Sequence, residues 1–316
     1  MAKAVCKITL GIDVSKDELL ICDWHTEQIT RLVNEAADIK HYLGGLYGPV
    51  RIAIEPTSSY HLALVEQAHA LGFAVYLINP RQLVHYRKAV NVRNKTDPAD
   101  AWLLARYLAH EAVALRTFEP QCAKAQRLWG LLKRRGVAVR ARQTLKQSLR
   151  DIQLPAKALF TEIQKLIARI DQLIRSLVRE LGWWADYQRC QSIPGIGQLN
   201  AAALLAVYHR GAFASSDAYV AFIGLDVRVR ESGKFKGQRK LTKCGEAEIR
   251  RLLFCAAQGA RSYPRFDNYL QRQLDKGLSK IAAKVILARK LARIAFTLIS
   301  KQQTFKKQEI IYSQSP

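Results

Sequence analysis

The chain has 316 residues, 49% of them hydrophobic, and 50 Lys+Arg against 26 Asp+Glu give it a formal net charge of +24. That length and apolar content suit a folded protein of two or three domains and exclude a disordered chain. The charge is one-sided along the sequence: residues 1–120 hold 13 basic and 13 acidic side chains, and residues 121–316 hold 37 and 13, so the cationic surface of the second part points to a polyanionic partner, nucleic acid above all.

Residues 7–15 (KITLGIDVS), 18–24 (ELLICDW) and 28–33 (QITRLV) are β-rich runs separated by short polar breaks, the start of a meander. Helical spacing follows over 38–47, a buried strand over 50–55 (VRIAIE), a helix over 60–71 and a further strand over 73–79. Three strands and then alternating helix and strand is the order of a ribonuclease H-like α/β domain. From 119 to 186 strand signals stop. Phe160, Ile163, Ile167, Ile170, Ile174, Leu177 and Leu181 recur at alternating three-and-four spacing, which predicts a coiled-coil or helical-hairpin arm, or else a helix packed on its own domain. A Gly-rich basic stretch lies in 213–245, two helical runs close the chain, and the tail beyond 306 is expected to fray. The six cysteines form no Cys-x-x-Cys pair and the histidines show no ligand spacing beside them, which fits a reducing cytosol and speaks against zinc. No secretory leader and no membrane span are expected.

Asp13 ends the first predicted strand and Glu55 ends the strand of the IAIEPTSSY segment, and in a ribonuclease H-like sheet those strands are neighbours. Asp97 and Asp100 lie in NKTDPADAW, where Pro98 suits the first helical residue and a spacing of three keeps both acids on one side of the first turn. Four carboxylates in one place repel one another unless hard divalent cations, Mg²⁺ or Mn²⁺, hold them, and such ions serve phosphoryl transfer. A purely structural alternative makes Asp97 the helix cap and Asp100 a dipole-favoured residue.

Candidates for nucleic-acid contact are Lys133, Arg134, Arg135, Arg140 and Arg142 in KRRGVAVRAR, and Arg228, Arg230, Lys234, Lys236, Arg239, Lys240 and Lys243 in the basic loop. Gly195 and Gly197 of SIPGIG, before an Ala/Leu-rich helix, resemble a helix-hairpin-helix turn whose amides can meet a phosphate, and an ordinary Pro-Gly turn reads the same way. Ser232 sits among the cations of the basic loop. The residues alone favour a Ser-Gly turn in a phosphate-binding loop over a nucleophile.

The ordered motifs GIDVSK, IEPTSSY, INP, RNKTDPADA, SIPGIG, AYVAFIGL, ESG and LTKCG, running from about residue 8 to 304, resemble the DEDD transposases of the IS110 insertion-sequence family, which includes the Piv-type DNA invertases. Asp226, Val227 and Arg228 after GL, and Phe235 after ESG, depart from the common family pattern. The resemblance implies a RuvC-like catalytic domain (1–118) with Asp13, Glu55, Asp97 and Asp100 as an Mg²⁺-binding quartet, a basic helical arm (119–186), and a mainly helical transposase domain (187–316). Ser232 would be the nucleophile that forms a phosphoserine link to DNA. It further implies a cytoplasmic, nucleoid-associated tetramer, a dimer of dimers, acting on donor and target DNA with a bridge noncoding RNA. A RuvC-type nuclease without a covalent intermediate, and a nonenzymatic nucleic-acid-binding protein, are the competing readings.

Overall fold

The β-branched run near the start of the chain forms β1 (Ile8–Val14), which with β2 (Glu18–Asp23) and β3 (Ile29–Val33) makes an antiparallel meander. Helix α1 (Ala36–Gly44) leads to β4 (Val50–Ile54), which pairs parallel with β1, and α2 (Leu62–Ala70) leads to β5 (Ala74–Leu77), parallel with β4. The result is a five-stranded mixed sheet of order β3-β2-β1-β4-β5 with β1 at its centre. This computed structural model describes residues 8–92, 96–152, 155–228, 231–232, 235–237 and 240–306, and the chain divides into two compact units, Met1–Pro120 and Gln121–Pro316. Arg230, Lys234 and Arg239 of the basic loop and the tail beyond 306 lie outside the described residues.

Strand alternation sends Leu10, Ile12, Ile52 and Ile54 to one face, where they are buried with Ile39 and Leu43 of α1 and Leu64 and Val65 of α2. The opposite face is covered by α3 (Pro80–Ala89) and α4 (Asp97–Glu111), through Leu83, Leu103, Leu104 and Leu108 against Ala53, Tyr76 and Ile78. Sequence periodicity gave no sign of α3. Its start is nevertheless well specified, because Asn79 accepts the amide of Arg81 at 2.9 Å and Pro80 takes the first helical position.

One contact sets how close α4 can come. A Cβ placed on Gly11 would lie 2.1 Å from the carbonyl oxygen of Ala101 and 2.1 Å from the amide nitrogen of Ala105. The helix backbone therefore rests on the bare backbone of β1, and the small residues Ala101 and Ala105, fully buried, complete the fit.

In the second unit α5 (Ala123–Ser148) and α6 (Lys157–Glu180) form an antiparallel hairpin, with Arg135 paired to Asp171 and Arg142 to Gln164 across it. Every seam position from Phe160 to Leu181 is buried or half-buried. At the base of the hairpin Leu128, Leu132, Ile170, Ile174 and Leu177 belong to the same core as the helices that follow, while Leu159 and Leu166 stay exposed farther out. Those helices are α7 (Trp184–Gln191), α8 (Gln198–Tyr208) and α9 (Ser216–Ile223), then α10 (Ala247–Gly259), α11 (Pro264–Asp275) and α12 (Lys280–Ser300). Between α9 and α10 lie four two-residue strands, β6 (Val227–Arg228), β7 (Glu231–Ser232), β8 (Phe235–Lys236) and β9 (Lys240–Leu241). Helix α8 is apolar all round and buried from Ala201 to Val207, so it is the central post of this unit. Among the described residues no helix is long and apolar enough to cross a membrane.

Gly11→Ala is expected to lower stability by about 3 kcal/mol or more, or to prevent folding, because the obstruction is backbone that cannot step aside. Thermal unfolding beside Gly44→Ala, where an added Cβ meets nothing within 4 Å, checks this. Equal melting temperatures for the two variants would refute the close approach.

Candidate functional site

The register between β1 and β4 runs from Ile8 opposite Val50 to Ile12 opposite Ile54. Asp13 is the next residue of β1 and Glu55 the first residue beyond β4, so both stand at the C-terminal ends of these two parallel strands. Asp13 follows Gly11 by two and Glu55 follows Ala53 by two, so both acids belong to the face on which α4 lies. Helix α4 brings Asp97 and Asp100 in its first turn. The cap is not Asp97: the hydroxyl of Thr96 accepts the amide of Ala99 at 3.4 Å, which places Asp97 first and Pro98 second in the helix. Asp97 is thus exposed and not tied up as a cap, whereas Asp100 is 8% exposed.

The four acids act on one another. The Asp13 carboxyl is pushed up to about 6, first by burial and then by the charges of Asp100, Asp97 and Glu55. Asp100 forms an ion pair with Arg87 of α3, both side chains largely buried. Asn34, just after β3, donates its side-chain amide to the carbonyl oxygens of Ser15 at 2.8 Å and Tyr60 at 3.2 Å, tying the loop after Asp13 to the loop after Glu55. Sequence reasoning singled out neither Arg87 nor Asn34, since an Arg in an unforeseen helix and a lone Asn carry no spacing signal. An all-carboxylate donor set fits a hard divalent cation rather than zinc or copper. Among the described residues, however, no three His, Cys, Asp or Glu side chains are drawn into a ready ligand cage.

Ser232 lies in β7, which pairs antiparallel with β8, with Ser232 opposite Phe235 and Glu231 opposite Lys236. In sequence this short ribbon is enclosed by a neck in which β6 pairs with β9, Val227 opposite Leu241 and Arg228 opposite Lys240. Below the neck the chain crosses itself at two glycines. Gly224 adopts φ +78°, and a Cβ there would stand 2.4 Å from the amide of Gly245, while one on Gly245 would stand 2.2 Å from the carbonyl of Ile223. Arg250 of α10 closes the crossing by donating to the carbonyls of Gly245 at 2.5 Å and Ile223 at 3.3 Å.

The basic candidates divide by their partners. Lys133 pairs with Glu246 at 3.2 Å and Arg140 with the buried Glu248 at 3.1 Å, joining α5 to α10, and Arg135 is held by Asp171. Those cations help build the unit, although Lys133 and Arg140 remain half-exposed. Arg134, Arg228, Lys240 and Lys243 are exposed. Gly195 has φ +86°, and its Cα packs within a Cβ's reach of Ala256 and Ala260, so helix packing accounts for this glycine. Gly197 precedes α8 in open space. Sequence reasoning also passed over Arg169, Arg175 and Arg179 of α6: Arg169 and Arg179 are exposed, Arg179 lying 4.3 Å from the centre of the Trp184 ring, whereas Arg175 is half-buried and donates to the side-chain oxygen of Gln198 at 2.8 Å.

Residues 10–154 match a transposase family of the DEDD type of IS110, and residues 187–271 match the family described as transposase IS116/IS110/IS902. The chain belongs to the IS110 family of transposases. It is 27% identical over 322 residues to the pilin gene-inverting protein of Moraxella lacunata, covering 95% of this chain and 98% of that protein. It is 26% identical over 348 residues to the transposase for insertion sequence element IS1111A of Coxiella burnetii, covering 94% and 91%. This transposase is therefore an enzyme of DNA recombination, with DNA as its substrate.

Asp13 makes the electrostatics of the cluster measurable. Its carboxyl titrates higher in the folded protein than its ordinary value of 3.8, so the folded state holds the proton more tightly and stability falls as pH rises from about 4 through about 6. With a chelator present, Asp13→Asn is expected to be more stable than wild type at pH 8 by up to about 3 kcal/mol, a gain that vanishes near pH 4. Denaturant unfolding at both pH values checks this, and a variant less stable than wild type at pH 8 would contradict a raised Asp13 carboxyl.

Proposed function

We propose that this transposase cuts and rejoins DNA through a transient phosphoserine on Ser232, assisted by Mg²⁺ or Mn²⁺ held by Asp13, Glu55, Asp97 and Asp100 in a RuvC-like domain. The observation that supports the reading is the half-buried Asp13 carboxyl, which burial first and then the charges of Asp100, Asp97 and Glu55 push up to about 6. A site that costs stability in this way makes sense where a cation is to be received. A bound divalent ion would supply charge neutralisation for the attacked phosphate and its leaving oxygen. The chain's own part is then positional: Asp13 and Glu55 at the ends of adjacent strands, Asp97 and Asp100 on a helix held close by Gly11, all present oxygen donors from rigid elements.

In the proposed reaction the Ser232 hydroxyl loses its proton as its oxygen bonds to phosphorus, and a deoxyribose oxygen leaves and takes up a proton. Rejoining reverses the step with a hydroxyl from another strand, so no high-energy cofactor is consumed. The neck between β6 and β9, and the Arg250 closure beneath it, would hold the serine-bearing ribbon at a fixed base. The cations of residues 121–316 would grip donor DNA, target DNA and a bridge RNA, with the exposed arginines of α6 among them. The likeness to a pilin gene-inverting protein supports strand exchange over simple cutting. We further propose the functional division into residues 1–118, 119–186 and 187–316, and a tetramer, a dimer of dimers, in which the acids of one subunit serve the serine of another.

The test is to express the transposase with its native flanking DNA, denature, and map by mass spectrometry any residue joined covalently to DNA. A nucleotide on Ser232, absent in Ser232→Ala and in Asp13→Asn, is the expected result. Free DNA ends with no adduct would replace this reading with a metal-dependent nuclease.

A further inference from the structure

Arg87 occupies an unusual place for a cation in a site built to receive one. It comes from the last turn of α3, and its guanidinium pairs with one carboxylate oxygen of Asp100. The two side chains are only 14% and 11% exposed, so this is a desolvated pair and not a surface salt bridge. Asp100 is at the same time the acid whose charge presses most on Asp13. Arg87 therefore already supplies positive charge beside Asp100 and occupies one of the carboxylate oxygens that this acid could offer to a cation.

We propose that Arg87 is an internal counter-cation of the quartet: it neutralises Asp100 in the metal-free transposase and must give up that carboxylate when a divalent ion binds, so that it sets the metal affinity of the site. The inference rests on the metal-binding reading given above. A guanidinium cannot lose its proton at physiological pH, so the exchange is one of positions and not of protonation. The pair stabilises α3 against α4 before metal arrives. Removal of the charge should loosen that contact and strengthen metal binding together, two effects that a merely structural arginine would not couple.

Mn²⁺ affinity is measured by calorimetry on the full chain for wild type, Arg87→Met, Arg87→Lys and Asp13→Asn. Arg87→Met keeps an apolar stem and is expected to bind Mn²⁺ at least about tenfold more tightly than wild type, the scale of one unit charge removed from a partly buried site, while melting lower without metal. Arg87→Lys should stay near wild type. Equal or weaker Mn²⁺ binding by Arg87→Met, with wild-type binding that depends on Asp13, overturns the counter-cation role and leaves the metal site standing. No Mn²⁺ binding by wild type or by Arg87→Met overturns both. Should Arg87→Met not fold, guanidinium ¹⁵N resonances of the wild type decide: the restrained Arg87 signal is expected to change as Mg²⁺ saturates the site, and a signal unchanged at saturation overturns the proposal.

Discussion

The seating of α4 on the backbone of β1 at Gly11 governs the N-terminal unit. Because the strand offers no side chain at that point, Ala101 and Ala105 settle directly over it, and the first turn of the helix reaches the end of the strand where Asp13 stands. The parallel register of β1 and β4 brings Glu55 to the same level. Two strand ends and one helix start thus deliver four carboxylates to one edge of the sheet, and each is fixed by backbone geometry rather than by contacts among the acids themselves. Packing here works against electrostatics. The apolar fit of α4 brings together charges that would otherwise separate, and the Asp13 carboxyl is raised first by its burial and then by those charges.

Charge is managed differently in the second unit. Glu248 is buried in α10 and takes both Arg140 and Arg251, and an added Cβ at Gly136 would fall within 2.5 Å of its carboxyl carbon. Here acid and base are matched, and the matched set ties the long helix of the hairpin to the helix that follows the serine-bearing ribbon. The large cationic excess is consequently not all free surface: part of it is structural cement, while Arg169 and Arg179 on α6 and Arg228, Lys240 and Lys243 around the ribbon neck stay exposed.

Much of the first unit could be read in the sequence, since period-two runs ending in Asp13 and Glu55 and an Asp-Pro helix start are strong local signals. The same reading misplaced the helix cap by one residue, because Thr96 and Asp97 are both good caps and only geometry chooses. It missed α3, a helix with one buried residue, Leu83, and little apolar rhythm. With α3 unseen, Arg87 could not be suspected. The seam from Phe160 to Leu181 was legible as a buried face, but what it packs against was not, since the partners of Ile174 and Leu177 come from far along the chain. For Ser232 the residues alone favour a phosphate-loop turn, and the nucleophile role proposed for it comes from family resemblance.

In the proposed reading the carboxylates of Asp13, Glu55, Asp97 and Asp100 receive a divalent cation that offsets their mutual repulsion. This is tested most directly by following the melting temperature of the wild-type protein against Mg²⁺ concentration at pH 8 and at pH 5. A marked rise at pH 8 that is much reduced at pH 5, where Asp13 holds a proton, is the predicted result. A melting temperature indifferent to Mg²⁺ at pH 8 would contradict it.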